Sequence, residues 1–167
     1  FGDHLVEAFM LDSNTLQSEE GDNEQVEWLK KALETSQATW KIVVLHHPIY
    51  SSAQKFPGTP SLIERLEPLL ISHGVSLVLQ GHNHLYERLD PIRGITYVTA
   101  GSAGEVRIGN LDPDSSLRAA GDDESLVILL LEFTPERCHL KAYDSMEKVV
   151  DDATFAPRRS PSGHSSA

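Results

Sequence analysis

The chain has 167 residues, 40% of them hydrophobic, which suffices for one domain with a substantial core. Acidic residues (25) outnumber basic ones (14) for a net charge of −11, so no basic stripe exists to neutralise a polymer of phosphates, and nucleic acid is excluded as a natural partner. No apolar run approaches the length of a membrane span, and the lone Cys138 excludes an internal disulfide. A small anionic substrate would need local positive charge, for example from metal ions. The first residue is Phe1 rather than Met, with no signal-peptide pattern, so residues ahead of it are expected to have been removed or left out.

Leu5 to Leu11 reads as a short strand ending in the turn Asp12-Ser13-Asn14. After a polar loop over residues 18–23, Asp22 and Gln25 suit the two halves of a capping box. A helix follows from about Asn23 to Thr35, with Val26, Leu29 and Leu33 on one face. Trp40 to Leu45 is β-branched and nearly all apolar, as in a parallel strand covered on both faces. It runs directly into His46-His47-Pro48-Ile49-Tyr50.

A Ser-, Gly- and Pro-rich loop leads to Thr59-Pro60, a helix start with proline at the first helical position. Leu62, Ile63, Leu66, Leu69 and Leu70 carry the helical period; Pro68 is expected to kink or restart it, and His73-Gly74 to end it. Val75 to Gln80 is again a buried strand, followed by Gly81-His82-Asn83-His84. Two strands joined by one helix form a β-α-β crossover, which makes them parallel and brings both histidine clusters to one sheet edge.

Ile95 to Ala100 reads as a further strand, and Glu105 to Glu124 as a long loop. Leu126–Phe133 and Cys138–Tyr143 suggest an antiparallel hairpin at a sheet edge. Residues 1–153 form the domain, and residues 154–167 read as a disordered tail.

Neutral imidazole is a common ligand for zinc, iron and similar ions. An isolated histidine at a strand end is usually a hydrogen-bonded structural residue. Here four converge through two independent strand ends, so His46, His82 and His84 are candidate metal ligands. His47 either packs or touches substrate. Asn83, Tyr86, Glu87 and Arg88 are candidates for orienting the histidines, with a Glu–Arg pair that ties the loop down as the plainer role.

The runs His46-His47-Pro48-Ile49-Tyr50 and Gly81-His82-Asn83-His84-Leu85-Tyr86-Glu87-Arg88 resemble those of the calcineurin-like metallophosphoesterases, most closely the purple acid phosphatase branch. The Gln25–Leu33 helix, the Leu11-Asp12-Ser13 strand end and the Tyr97–Gly101 strand fit the same pattern, so the likeness covers roughly Leu5 to Tyr143. The resemblance implies an α/β fold: the C-terminal half of a four-layer αββα sandwich, with a mixed sheet, a β-α-β crossover and a terminal antiparallel hairpin. It implies hydrolysis of phosphate mono- or diesters at a dinuclear centre of divalent or trivalent ions (Fe, Zn or Mn), with in-line attack of activated water on phosphorus. By matching positions, His46 and His82 would serve one metal and His84 the other. Members are often exported, to the periplasm or outside the cell; the sequence itself leaves the compartment open.

The pattern is also broken. The family's upstream ligands lie in Gly-Asp-x-Gly, Gly-Asp-x-x-Tyr and Gly-Asn-His-Glu motifs. The Gly-Asp pairs here are Gly2-Asp3, Gly21-Asp22 and Gly121-Asp122, none in that context, and Gly109-Asn110 lacks the His-Glu. No catalytic residue is therefore identifiable in the chain. Phe56 stands nearest to where plant-type members carry a further histidine. The chain reads as the histidine half of a phosphoesterase, catalytically poor alone. The alternative is an inactive fragment or binding module with at most a weak single-metal site. Either way an apolar sheet face is expected to be open, for a missing N-terminal half or a second copy to cover.

Overall fold

The computed structural model describes residues 1–17 and 23–159. The elements are β1 (Val6–Met10), α1 (Asn23–Thr35), β2 (Trp40–Val44), α2 (Pro60–Ser72), β3 (Leu77–Gln80), β4 (Tyr86–Leu89), β5 (Thr96–Ala100), β6 (Arg118–Asp122), β7 (Val127–Phe133), β8 (Cys138–Asp144) and β9 (Val149–Phe155). They build two sheets, of order β1-β2-β3-β5-β4-β6 and β7-β8-β9. In the first, β1, β2, β3 and β5 run parallel; β4 is antiparallel to β5, and β6 is antiparallel to β4, so β4 alone is reversed and β6 runs with the parallel strands.

Period-2 alternation in β2 explains the layering. Val43 points to a core shared with the helices, where Leu29 and Leu33 of α1 meet Leu62, Leu66 and Leu70 of α2. Ile42 and Val44 point the other way, to a core shared with the second sheet through Val127, Leu140 and Ala142. Helices therefore cover one face of the six-stranded sheet and β7–β9 the other. Each fully buried leucine removed from water in this way stabilises the fold by about 2 kcal/mol. Lys41, on the helix side of β2, donates to the carbonyls of Leu33 and His73 at the ends of α1 and α2. Those are positions where helix carbonyls lack intrahelical partners and where positive charge is favourable.

The helix starts and stops follow the sequence signals. Pro60 opens α2, the helix continues through Pro68, and Gly74 at φ +71° takes the left-handed turn beyond it. Gln25 bonds the Asp12 backbone and the Thr15 hydroxyl; Asp22, the other half of the expected capping box, lies outside the described residues.

The expected hairpin of β7 and β8 is formed, with β7 at the edge of the second, three-stranded sheet. Three expectations are corrected. The loop expected over 105–124 contains β6, whose Arg-Ala-Ala-Gly-Asp sequence has no strand propensity and pairs because β4 offers an open edge. The tail does not begin at residue 154: Thr154 and Phe155 complete β9, and Arg158 donates to the carbonyls of Leu70 and Val75; residues 160–167 lie outside the described residues. Tyr86 to Arg88 belong to a strand and not to the loop beyond the histidines.

The two sheets are tied by specific contacts as well as by apolar packing. The Trp40 ring meets Phe133 and Phe155 edge-on at 5.2 and 5.9 Å, and its indole N–H donates to the Thr134 carbonyl at 2.7 Å. Asp151 of β9 accepts from the Tyr86 hydroxyl (2.6 Å) and from Arg88 Nε and Nη2 (2.7 and 3.0 Å). The arrangement leaves Ile128 and Leu130 of β7 open to water, 65% and 49% exposed.

Burial would raise the Asp151 carboxyl, but the hydrogen bonds from Arg88 and Tyr86 outweigh it and hold the group below the usual carboxylate range. The unfolded chain, with its carboxyl near 3.9, therefore takes up this proton first as pH falls. The stabilisation is complete above about pH 4 and is lost as the pH drops through the folded value. Asp151→Asn is expected to cost roughly 3 kcal/mol at neutral pH, because Arg88 loses its buried counter-charge. Denaturant unfolding followed at several pH values should also show a flatter acid limb for the variant than for the wild type.

Candidate metal centre

The site begins with the register of β2 and β3. Ile42, Val43 and Val44 stand opposite Leu77, Val78 and Leu79. Beyond the strands the pairing continues: the Leu45 N–H donates to the Leu79 carbonyl and the Gly81 N–H to the His46 carbonyl, both at 3.0 Å. His46-His47 and Gly81-His82 therefore leave the sheet side by side, at the carboxyl ends of parallel strands.

His82 sits at φ +63°, the left-handed region that costs an L-residue energy and recurs at functional sites. This turn aims the His82 ring back at its neighbours. His46 Nε2 and His82 Nδ1 are 3.2 Å apart, and the ring centroids of His47 and His82 lie 4.6 Å apart. One nitrogen from each of His46, His47 and His82 falls within 4.8 Å of the others, and among the described residues this is the grouping whose side chains could hold a metal.

The chemistry of this donor set suits a cation. Burial lowers the pKa of His47 and His82, and the neighbouring imidazoles lower both further; Asp12 opposes the shift at His47. Both are thereby biased towards the neutral form, whose lone pair is what a metal requires. The Ser13 hydroxyl holds His47 twice, accepting its backbone N–H at 2.9 Å and meeting Nδ1 at 3.0 Å. A groove of about 400 Å³ passes the pair and is lined by Gln17, His47, Pro48, Phe56, Thr59 and His82. The Phe56 ring stands edge-on to His82 at 4.6 Å.

His84 is placed apart from this grouping. Its Nδ1 is buried without a hydrogen bond, 3.4 Å from the Glu105 carboxylate, and its carbonyl accepts from the Arg107 N–H. His47, read from sequence as a packing or substrate residue, stands beside His46 and His82 in the cluster and also lines the groove. Tyr86 and Arg88 do not orient the histidines, since their side chains face the other sheet and bond Asp151. The Glu–Arg pair is not formed either: Glu87 accepts from Ser51, Ser52 and Thr99. Asn83 donates to Ser51 Oγ and to the Phe56 carbonyl.

Ser13, Gln17, Ser51, Ser52, Thr99 and Glu105 were not among the sequence-derived candidates. Only Ser13 had a signal, as part of the Leu11-Asp12-Ser13 strand end. Gly101 carries another: a Cβ there would lie 2.0 Å from the Asn83 carbonyl, so only glycine lets β5 end against the histidine loop.

Residues 2–86 match the family model described as calcineurin-like phosphoesterase. The human tartrate-resistant acid phosphatase type 5 is 33% identical over an alignment that covers 58% of this chain and 34% of that protein. A purple acid phosphatase from yellow lupin seeds superposes with a TM-score of 0.81 at 21% identity, covering 90% of this chain and 31% of that one. GAP50, described as the anchor in the inner membrane complex of Plasmodium, gives 0.82 at 21%, covering 93% and 50%. The chain thus spans between about a third and a half of these relatives. Its mixed α/β fold is theirs, and with half of its residues matched by the family model, the chain belongs to the calcineurin-like phosphoesterase family, on the purple acid phosphatase-like side.

Proposed function

We propose that this chain supplies the histidine half of a metal-dependent phosphate-ester hydrolase. The observation that carries this reading is the convergence of His46, His47 and His82 nitrogens within 4.8 Å at the ends of two adjacent parallel strands, in a chain of this family. His46 and His82 are the ligands of one ion, and His84, set apart from them, is the ligand of a second. A pair of such ions supplies Lewis acidity and an activated water for in-line displacement at phosphorus. Zinc, iron and manganese all accept imidazole, and the complete centre takes two divalent or trivalent ions.

The chain's own residues have definite tasks in this reading. His46 and His82 present neutral nitrogens at a fixed separation. His47, pinned by Ser13, faces the groove and contacts the bound ester. Arg107 is near enough to His82 to act on it electrostatically and adds positive charge for an anionic substrate on an acidic protein. The substrate class is small phosphate esters, mono- or diester.

The cluster contains imidazoles only, and its grouping includes no carboxylate. Three histidines can hold one zinc ion, but they do not bridge two. The chain by itself is therefore a single-metal binder with little turnover. A second reading has support of its own. A protein with the same fold is described as an anchor, and a histidine grouping with no carboxylate among the described residues would suit a binding module equally.

Titration of the purified chain with Zn²⁺ or Co²⁺ is expected to give about one ion per chain. His46→Ala and His82→Ala should each lose that binding, and His84→Ala should keep it. Binding unchanged in His82→Ala would remove this residue from the site. With an aryl phosphate ester as substrate, the metal-loaded chain should show little hydrolysis above the metal ion alone. Rapid turnover with two ions per chain would show that the carboxylate ligands are not needed.

A further inference from the structure

Glu87 is fully buried and has no basic partner among the described residues, yet it is not isolated. Its Oε1 accepts from the hydroxyls of Ser51 (2.5 Å) and Thr99 (3.0 Å); its Oε2 accepts from the backbone N–H and hydroxyl of Ser52 (2.8 and 2.6 Å). The direction of these bonds is set from outside. Ser51 Oγ already accepts from Asn83 Nδ2 and the Ala53 N–H, Ser52 Oγ from Arg118, and Thr99 Oγ1 from Gln80 Nε2. Each hydroxyl proton is thus left for Glu87, and the carboxylate is where three donor chains end.

Two of those chains start beside the histidines. Asn83 separates His82 from His84, and its amide orientation is fixed by the Phe56 carbonyl, which can only accept from Nδ2. Gln80 closes β3 just before Gly81. It donates to the Tyr50 carbonyl and accepts from the Ile49 N–H, in the loop that follows His46-His47. One carboxylate thereby holds both histidine-bearing loops together. Between them stands the left-handed His82, a conformation that persists only where its surroundings over-determine it.

We propose that Glu87 is a positioning residue for the metal centre: by terminating the chain Asn83→Ser51→Glu87 it keeps His82 in its left-handed turn, with its ring against His46. This rests on the metal reading above. Glutamine in its place brings an amide that must point donors at hydroxyls whose protons already point at it, so at least one chain reverses or breaks.

The test uses the whole chain, Co²⁺ as the probe and amide hydrogen exchange as a second readout. Glu87→Gln and, as a smaller perturbation, Ser51→Ala are each expected to weaken Co²⁺ binding about tenfold or more, the scale of lost outer-shell support. Both should also speed exchange at Asn83 and Leu85, whose N–H groups bond within the turn to the Gly81 and Asn83 carbonyls. Asp151→Asn is the control, because it acts on Tyr86 and Arg88 on the opposite face of the same strand. It should lower thermal stability and leave Co²⁺ affinity within about twofold, which a merely structural role for Glu87 would not distinguish. Wild-type Co²⁺ affinity and exchange in both Glu87→Gln and Ser51→Ala would overturn the proposal, as would loss of Co²⁺ in Asp151→Asn equal to theirs. If the wild-type chain takes up no Co²⁺, the metal reading fails separately, and exchange at Asn83 and Leu85 alone decides for or against the clamp. Should Glu87→Gln fail to fold, Ser51→Ala decides.

Discussion

Parallel pairing of β2 with β3 is the constraint on which the rest of the molecule depends. Parallel neighbours need a crossover, and α2 supplies it. Because both strands then point the same way, whatever follows either one emerges at the same edge. The register decides which residues meet there. A slip of one residue would turn Ile42 and Val44 toward the helices and Val43 toward the second sheet, exchanging two cores of different shape. The meeting of His46 with His82 is therefore secured by several buried aliphatic side chains well below it, and the site inherits its rigidity from them.

Much of the helical layer and the crossover was legible in the sequence. Leu29, Leu33, Leu62, Leu66 and Leu70 repeat at helical spacing, Pro60 and Gly74 mark the ends of α2, and a continuous apolar run suits a strand covered on both faces. The second sheet was only half legible. Val127 to Phe133 and Cys138 to Asp144 show as strands, but nothing local says whether they join the first sheet or lie across it. Trp40, reaching Phe133, Phe155 and the Thr134 carbonyl, settles that from far away in sequence. β6 and β9 were illegible for the same reason. Arg118–Asp122 and Val149–Phe155 have weak strand character and take their conformation from the open edges of β4 and β8.

The candidate site was legible in its membership and less so in its grouping. Two histidines with one residue between them would share a side if the chain left β3 extended. The left-handed turn at His82 breaks that alternation and sends His84 towards Glu105, while Ser13 brings His47 in. Backbone conformation at one residue and a hydroxyl 34 positions away are tertiary facts with no local signature.

The Tyr-Glu-Arg run after the histidines shows what such a misreading costs. As a loop, its three side chains would all be candidates for the same task. As strand β4, they must alternate. Tyr86 and Arg88 go to Asp151 and join the two sheets; Glu87 goes the opposite way and gathers the hydroxyls under the histidine loops. The two carboxylates at these points differ in kind. Asp151 faces a guanidinium and contributes a charge pair, whereas Glu87, among the described residues, faces hydroxyls and one backbone N–H and contributes direction to a hydrogen-bond network. A charge pair tolerates modest movement, but a network of donors and acceptors has one arrangement in which every proton is placed. The side of β4 that faces the histidines is thus the one built for geometric exactness, and the side that faces the second sheet is the one built for adhesion.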